Sequence, residues 1–490
     1  MASLEELREE RLQKLQALES DGVEGYPPRI TLTGERYSSE EVKALLQAET
    51  ENISTSVLVM GRVVSKRGQG KIIFIDIADE SGKLQCVLKI DTLGEEILSS
   101  FSRVVDLGDF VAFTGVPFIT QRGEKSVDVT AWQMLTKALL PMPSLHFGLE
   151  NEEELMRKRY LDFMLDPSKR DLFYKKAKFW GVVRHYLNER GFLEVETPTI
   201  EITTGGAEAR PFKTYHNDFD IDVYMRICVG ELWQKRLMAG GFSRTYEIGR
   251  AYRNEGSSPE HLQEFTNCEF YMSYADYHDG MKLVRGLYVA IAEQVFGTTK
   301  FEMKGHAFDL SDEWREIDYA TEIKEQTGVD IWEASDEEIK KKLEELHVKY
   351  DGDNRERLTD TIWKYCRKNI SGPAFLVNHP LIVAPLAKPH ADGKTAQQFQ
   401  PIIAGSEVGR GYSELNDPRV QRANFEQQQK LLEAGDEEAM MPDYEFVEML
   451  EHGMPPTCGF GFGDRLFAFL AGLPIRETQL FPLVKNKVSE

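Results

Sequence analysis

A short window near the middle of the 490-residue chain combines four kinds of side chain that suit one ligand. Arg253 and Glu255 are followed by His261 and Phe265. An arginine fork can hold phosphate oxygens bidentately, and a phenylalanine face can stack on a purine. We expect two hairpin strands, joined by a loop over 256–263, to direct these side chains toward one nucleotide. A charged surface hairpin is the alternative for this window taken alone.

A second window, 453–472, has the pattern of a glycine-rich strand that leads into an apolar helix. Gly459, Gly461 and Gly463 would let backbone come close to a ligand, and Arg465 stands at the start of the helix. The spacing is not that of a dinucleotide fingerprint, and glycines also mark bulges and tight packing. The window therefore gains meaning only in combination with other segments.

Together with 191–198, which ends a helix and begins a strand broken by Pro198, these windows resemble the signature motifs of class II aminoacyl-tRNA synthetases. Their order along the chain is the same. Further segments are similar to the lysyl branch of that class, and the resemblance covers 55–320 and 370–485. These segments are Thr204–Phe212, Gly230–Leu232, Lys235–Leu237, Ala384–Lys388, Ser413–Asp417 and Phe481–Pro482.

The resemblance implies an α+β protein. An N-terminal OB-fold β-barrel should be followed by a class II catalytic domain, an antiparallel sheet flanked by helices, with a small helical insertion. The expected parts are a helical extension at 1–54, the barrel at 55–140, a linker at 141–154 and the catalytic domain at 155–490, with the insertion at about 325–370.

In the family, the carboxylate of L-lysine attacks the α-phosphate of ATP and pyrophosphate leaves; lysine then passes to the 3′-terminal ribose hydroxyl of tRNA-Lys, a step of protein biosynthesis. Such a reaction needs alignment and charge neutralisation rather than a protein nucleophile. By resemblance, Arg253 and Arg465 are catalytic, with Arg253 at the α-phosphate. Arg465 and His261 hold the far end of the triphosphate. Phe265 stacks on the adenine, and Glu255 accepts a hydrogen bond from its amino group.

Glu407 and Glu414 complete the expected ATP site, and we expect them to flank a turn. Carboxylates together with phosphate oxygens are the usual ligands of Mg²⁺. By resemblance these two residues are the metal ligands, with Glu414 nearest the ATP. A salt-bridged pair on a sheet is the alternative.

L-Lysine carries two ammonium groups, so its site needs acids at both ends. By resemblance, Glu231 receives the α-ammonium and Glu269 the ε-ammonium, with Tyr271 beside Glu269 on the same strand face. A site built around polar pairing can reject an uncharged analogue by about 10⁴-fold or more. The full lysine-binding set implied is Gly206, Glu231, Glu269, Tyr271, Arg410, Tyr412 and Glu414.

The chain departs from the lysyl pattern at three places. The glycine strand is one residue shorter before Arg465, and Glu260 stands where an arginine often precedes the histidine. Arg410 stands where asparagine is expected near the lysine side chain. A guanidinium beside an ammonium is unfavourable unless it turns away or pairs with Glu407 or Glu414. Arg410 therefore bears on the identity of the amino acid.

Five β-branched and aromatic runs separated by turn residues predict the barrel. In the family this barrel binds the anticodon, and Arg62, Phe74, Gln85 and Glu124 fall at the matching places. Phe74 could stack a base, and Arg62 and Gln85 could read its edge; each alone could also be an ordinary barrel residue. The runs are Ser56–Val64, Lys71–Ala78, Leu84–Ile90, Phe110–Phe118 and Ser126–Trp132.

Composition limits the function classes. The net charge of −22 argues against a general nucleic-acid binder. Residues 57–137, however, carry as many basic as acidic residues, so this segment is a candidate RNA-binding surface. Chance variation in composition is the alternative explanation of this balance. The absence of a long apolar run and of a secretory core predicts a cytoplasmic enzyme without a membrane segment. The scattered cysteines lack metal-ligand spacing and are expected to be reduced thiols: Cys86, Cys228, Cys268, Cys366 and Cys458.

Three functions remain open. The first is the lysyl enzyme, a homodimer because the motif around Pro198 forms the dimer interface in this class. The second is a related adenylate-forming ligase that acts on another amino acid or on a protein. The retained barrel argues against a protein substrate. Aspartyl and asparaginyl relatives share the barrel, but their pockets lack the Glu269–Tyr271 acid site. The third is a non-catalytic RNA-binding regulator, which would have no need to keep Arg253, Glu407, Glu414 and Arg465.

Overall fold

The computed structural model describes residues 3–48, 55–68, 70–142, 152–206, 209–256, 258–350, 352, 354–384, 386–433 and 440–485. The chain divides into two compact units, Met1–Asn151 and Glu152–Glu490. Most of the expected linker, at 143–151, lies outside the described residues, as do Ala207, Glu208 and Pro385 of the segments compared above.

The first unit contains a closed barrel with short helices. Its helices are α1 Leu4–Ser20, α2 Ser39–Ala48, α3 Ile90–Leu93 and α4 Glu95–Val104. Its strands are β1 Glu35–Arg36, β2 Val57–Arg67, β3 Ile72–Ala78, β4 Lys83–Lys89, β5 Phe110–Ile119 and β6 Lys125–Thr136. The five strand runs predicted from the sequence are thus confirmed, with ends shifted by a few residues.

Pairing of β2 with β5 closes the sheet, whose order is β1-β2-β3-β4-β6-β5. Side chains alternate between the two faces of a strand, and β3 shows the consequence. Ile73, Ile75 and Ile77 are buried in the barrel core, whereas Phe74 and Asp76 point outward. The core also takes in residues of α1 and α2, so the N-terminal segment packs as part of this unit.

The second unit is a sheet flanked by helices. Its helices are α5 Glu152–Arg157, α6 Arg159–Leu165, α7 Arg170–Asn188, α8 Glu231–Ala239, α9 Tyr277–Ile291, α10 Tyr319–Thr327, α11 Asp336–Glu345, α12 Arg355–Cys366, α13 Pro418–Glu433, α14 Tyr444–His452 and α15 Asp464–Leu470. Its strands are β7 Leu193–Glu194, β8 Ile200–Glu201, β9 Lys213–His216, β10 Ile221–Met225, β11 Arg244–Tyr252, β12 Glu264–Ser273, β13 Lys300–Met303, β14 His306–Asp309, β15 Arg315–Asp318, β16 Ala374–Pro380, β17 Thr395–Ile403, β18 Ser406–Glu407, β19 Arg410–Ser413 and β20 Thr457–Gly463.

The main sheet has the order β15-β16-β17-β19-β20-β12-β11-β7, with β18 paired to β17. Its inner strands are antiparallel, and only the outermost pairs, β15 with β16 and β11 with β7, are parallel. Helices α7 and α9 cover one face through a large apolar core. The predicted hairpin β11–β12 and the predicted strand–helix unit β20–α15 are both confirmed.

Helices α10, α11 and α12 connect the parallel neighbours β15 and β16, because parallel strands cannot be joined by a tight turn. They enclose a separate apolar core in which Ile339 and Leu343 of the charged helix α11 are fully buried. The expected charged helical segment is therefore a crossover whose polar face points to solvent.

No helix within the described ranges combines the length and the apolar character that crossing a membrane requires. All five cysteines are buried free thiols.

Candidate functional site

A cavity of about 490 Å³ opens over one face of the main sheet, with β12, β19 and β20 as its floor and the β11–β12 loop at its edge. Every residue that the resemblance assigns to ATP, lysine or a metal lines this one cavity. These residues are Gly206, Glu231, Arg253, Glu255, His261, Phe265, Glu269, Tyr271, Glu407, Arg410, Tyr412, Glu414 and Arg465.

The glycine-rich strand β20 separates the cavity from the core, because its successive residues point alternately to the two faces of the sheet. Phe460 and Phe462 are buried in the apolar core on the helix-covered face. Gly459 and Gly461 face the cavity, where a Cβ on Gly459 would collide with Oε1 of Glu414. Glycine is therefore needed at position 459 because the Glu414 carboxylate occupies the space above it.

Glu269 is a buried acid with fixed hydrogen-bond donors. It lies on β12 opposite Gly461 and is only 5% exposed. Its Oε1 accepts hydrogen bonds from the backbone N–H of Val229 at 2.7 Å and from Asn267 Nδ2 at 3.0 Å. Tyr271, on the same strand face as predicted, donates its hydroxyl to Oε2 at 3.1 Å.

Two further acids share one buried cation. Nζ of Lys235 lies 2.7 Å from Oε1 of Glu231 and 2.5 Å from Oε2 of Glu414. Glu231 opens α8 and Lys235 follows one helical turn later, which places the two side chains together. Tyr412 donates its hydroxyl to the same Oε1 of Glu231 at 2.6 Å. Gly206 has a φ of +92°, and a Cβ there would lie 2.8 Å from Cβ of Glu231.

Burial and the neighbouring charges shift the pKa values of the ionisable groups in this pocket. Burial, followed by the charge of Glu231, raises the pKa of Glu269. Burial also raises the pKa of Glu414, although Lys235 opposes the shift. Burial alone would lower the pKa of Lys235, but Glu231 and Glu414 together raise it above its ordinary value. The pocket thus holds three acids against one ammonium group and favours a cationic ligand.

Cys228 lies among these acids, and its Sγ and a carboxylate oxygen of each of Glu231 and Glu269 are all within 4.8 Å of one another. Burial raises the pKa of the Cys228 thiol well above its ordinary value, and the thiol donates to the Gly205 carbonyl. A protonated thiol is a poor metal ligand. The trio therefore suits an ammonium group better than a metal ion.

The opposite part of the cavity carries arginines and an aromatic ring. Nε of Arg253 donates to the carbonyl of Ile227 at 3.2 Å, and its guanidinium carbon lies 5.4 Å from the ring centroid of Phe265. Burial, and then the charge of Arg465, lowers the pKa of His261. At neutral pH His261 therefore offers a neutral imidazole rather than a second cation.

Each of the two carboxylates expected to hold a metal has one oxygen in contact with another side chain of the protein. Oε1 of Glu407 accepts from Trp363 Nε1 at 2.7 Å, whereas Oε2 of Glu414 contacts Lys235. Oε1 of Glu414 lies over Gly459 at the cavity. Carboxylate oxygens at a polar cavity are the type of ligand that a hard divalent cation takes, together with phosphate and water.

The turn predicted between Glu407 and Glu414 is wrong. Glu407 ends β18, and β19 fills the interval up to Glu414, so the two acids lie at opposite ends of a strand. Because β19 pairs with both β17 and β20, its hydrogen bonds hold a glycine-rich segment in an extended form.

The departures from the lysyl pattern have defined places. Glu260 forms an ion pair with Arg465. Arg410 pairs with neither Glu407 nor Glu414: its side chain is exposed and makes no hydrogen bond or ion pair with the residues that the structure describes. The shortened glycine strand is accommodated because Asp464, fully buried, accepts the backbone N–H of Thr266 at 3.1 Å and so fixes the start of α15.

On the barrel, Phe74, Gln85 and Glu124 belong to one region. Gln85 lies opposite Asp76, which is two residues from Phe74 on β3. The side-chain oxygen of Gln85 accepts a hydrogen bond from the hydroxyl of Ser126, which follows Glu124 by two residues. Arg62 is opposite Ala78, which is four residues from Phe74 and so about 13 Å away along β3. Its guanidinium packs 4.2 Å from the Phe110 ring centroid and donates to the Gly108 carbonyl. The structure thus separates Arg62 from the others.

Sequence reasoning assigned no role to two residues that organise the pocket. Lys235 could have been found from its i,i+4 spacing to Glu231 on a predicted helix. Asn267 could have been found from its i,i+2 relation to Glu269 on a predicted strand, which places both on one face.

Comparison with known proteins agrees with this geometry. The family model described as "tRNA synthetases class II (D, K and N)" matches residues 151–485, and the model described as "OB-fold nucleic acid binding domain" matches residues 57–135. A protein of Thermotoga maritima named lysine--tRNA ligase is 42% identical over 490 residues, covering 99% of this chain and 97% of that protein. Proteins of the same name from Halalkalibacterium halodurans and Clostridium perfringens are 42% and 40% identical, each covering 99% of this chain and 98% and 97% of their own length. The chain therefore belongs to the class II tRNA synthetases of the D, K and N group, with an OB-fold domain before the catalytic domain.

Proposed function

We propose that this chain is a lysine–tRNA ligase, which joins L-lysine to ATP as lysyl-adenylate with release of pyrophosphate and then transfers lysine to the 3′-terminal ribose hydroxyl of tRNA-Lys. The observation that carries this proposal is a cavity with a buried acidic pocket on one side and, on the other, arginine side chains of the type that binds phosphate. That arrangement suits a dicationic amino acid beside a nucleotide.

Within the proposal, Arg253 contacts the α-phosphate, where attack by the lysine carboxylate takes place. Its guanidinium carbon lies 5.4 Å from the ring centroid of Phe265, so a phosphate bound by Arg253 would be close to an adenine at that ring. Glu255 accepts from the adenine amino group, while Arg465 and His261 hold the far end of the triphosphate. Arg253 and Arg465 act by aligning the reactants and neutralising charge.

For the amino acid, Glu231 receives the α-ammonium and Glu269, with Tyr271, receives the ε-ammonium. The pre-formed hydrogen bonds to Glu269 support this role because the carboxylate is already oriented. Gly206 leaves room beside Glu231, and Tyr412 fixes the direction of that carboxylate.

The metal assignment rests on Glu407 and Glu414. When bound there, Mg²⁺ would neutralise phosphate charge. The protein's own part is to present the two carboxylates, one steadied by Trp363 and the other by Lys235.

The barrel is the proposed anticodon reader, with Phe74, Gln85 and Glu124 as its contacts and Arg62 as a more distant one. A half-buried aromatic ring on an outward strand face supports base stacking.

We also propose a homodimer through the segment around Pro198. Its support is apolar exposure on that segment: Leu193 is 51% exposed, Ile200 56% and Ile202 68%. Sedimentation at micromolar concentration tests this, and a monomer would contradict it.

The test of the function is aminoacylation with radiolabelled L-lysine, ATP, Mg²⁺ and tRNA-Lys. We expect acid-precipitable tRNA that depends on all four components. A related ligase for another amino acid remains the second candidate because the unpaired Arg410 lines the same cavity as the acidic pocket. In that case label would enter tRNA only from another amino acid.

A further inference from the structure

Glu260 is a carboxylate held between two cations at the edge of the cavity. Nη2 of Arg465 donates to Oε2 of Glu260, and Nζ of Lys304 donates to Oε1 at 2.9 Å. Partial burial by itself would raise the pKa of Glu260, but the charges of Arg465 and Lys304 hold it below its ordinary value. Two cations thus form an anion site, and a side chain of the same chain fills it.

Lys304 reaches this place from the tight turn between β13 and β14. Lys304 and Gly305 both have positive φ, +52° and +78°, as a two-residue hairpin turn requires. Besides Glu260, the ammonium group contacts Ser406 Oγ at 3.0 Å, and Ser406 is next to the cavity-lining Glu407. Lys304 therefore stands beside the proposed triphosphate end, although nothing in the sequence comparison gives it a role.

We propose that, in the ATP-free enzyme, Glu260 occupies the position of the terminal phosphate between Arg465 and Lys304, and that Lys304 binds this phosphate once Glu260 is displaced. The inference rests on the proposed function and extends its ATP site by one residue. A terminal phosphate carries more charge and more acceptor oxygens than a carboxylate and can engage both cations. Glu260 lies on the loop between β11 and β12, so it can leave without disturbing either strand.

Glu260 and the terminal phosphate of ATP therefore compete for Arg465 and Lys304. Without nucleotide, Glu260 neutralises one of the two positive charges of this site. With nucleotide, its carboxylate must give up two ion pairs, and this cost weakens apparent ATP affinity.

The test is the KM for ATP in lysine-dependent ATP–pyrophosphate exchange by the full chain. Glu260→Gln keeps the shape but removes the competing charge, so this KM should fall by about threefold to tenfold while the KM for lysine stays unchanged. Lys304→Met removes a phosphate ligand, so the KM for ATP should rise by about the same factor. Lys300→Met, an exposed change on the same hairpin, is the matched control and should leave both constants unchanged.

The double variant Glu260→Gln/Lys304→Met separates phosphate binding from mere support of Glu260. If Lys304 binds phosphate, Lys304→Met raises the KM for ATP in the Glu260→Gln background as well. No change in that background, or an unchanged or higher KM for ATP in Glu260→Gln alone, would overturn the inference. Absence of lysine-dependent exchange in the unsubstituted enzyme would overturn the proposed function, and the inference with it.

Discussion

Glu269 and Gly461 are paired residues on neighbouring strands, so the buried carboxylate borders the space that the missing side chain leaves open. A Cβ on Gly461 would lie 3.2 Å from Cγ of Glu269. An ammonium group entering this space would meet a carboxylate whose direction is already fixed by Val229, Asn267 and Tyr271. The proposed selection of lysine depends on this pair.

Glu269→Gln should severely impair lysine activation while the protein stays folded. Breaking a buried ion pair costs about 3–5 kcal/mol, so kcat/KM for lysine should fall by roughly 10²–10⁴-fold. The measurement is pyrophosphate exchange at varied lysine, with circular dichroism and the melting temperature as controls for the fold. Near-normal exchange would remove Glu269 from the lysine site.

Lysine affinity should decline toward acid pH. Burial and the charge of Glu231 raise the pKa of Glu269 to about 7 in the ligand-free protein. Lysine favours the ionised carboxylate, so the affinity is complete above this pKa and is lost as the pH falls through it. The KM for lysine should therefore rise by up to about tenfold per pH unit below 7.

Calorimetry in buffers of different ionisation enthalpy should also detect proton release when lysine binds near neutral pH. Glu269→Gln, which cannot titrate, should abolish the part of the pH dependence that belongs to this residue. A KM for lysine that is independent of pH between 6 and 8 in the unsubstituted enzyme would contradict the account.

Arg410→Asn should strengthen lysine binding. Arg410 lies opposite Gly461 on the other side from Glu269, so its guanidinium repels an ammonium group placed above that glycine. At about 8 Å and an effective dielectric constant of about 20, this repulsion is at most about 2 kcal/mol. The KM for lysine should fall severalfold while the KM for ATP stays constant. A higher KM for lysine would mean that Arg410 binds the lysine carboxylate.

Phe74→Ala should weaken tRNA charging without affecting lysine activation. Loss of one base-stacking contact costs about 1–3 kcal/mol, so the KM for tRNA-Lys should rise by roughly fivefold or more. Ile97→Ala, an exposed apolar position on α4, serves as the control. An equal loss of pyrophosphate exchange in Phe74→Ala would show that the barrel does not act as a separate reader.

Local patterns were sufficient for much of the fold. The barrel strands and β20 carry period-two alternation, and the β11–β12 hairpin is bounded by a clear loop, so neighbours in sequence determine them. The prediction of a turn between Glu407 and Glu414 was wrong, because the glycines of this segment resemble those of a turn. Pairing with β17 and β20, which no local pattern reveals, makes it a strand.

The site was predictable only in part for the same reason. Resemblance placed its members in one site, but the contacts that orient them join distant parts of the chain. Tyr412 reaches Glu231 across 181 positions, and Arg465 reaches Glu260 across 205. Such pairs depend on sheet order, which the sequence of one chain does not display.

ATP–pyrophosphate exchange with each of the standard amino acids in turn tests most directly whether this protein selects lysine. We expect exchange with L-lysine to exceed exchange with every other amino acid by at least about 10³-fold. Equal or faster exchange with a neutral or acidic amino acid, or none with lysine, would contradict it.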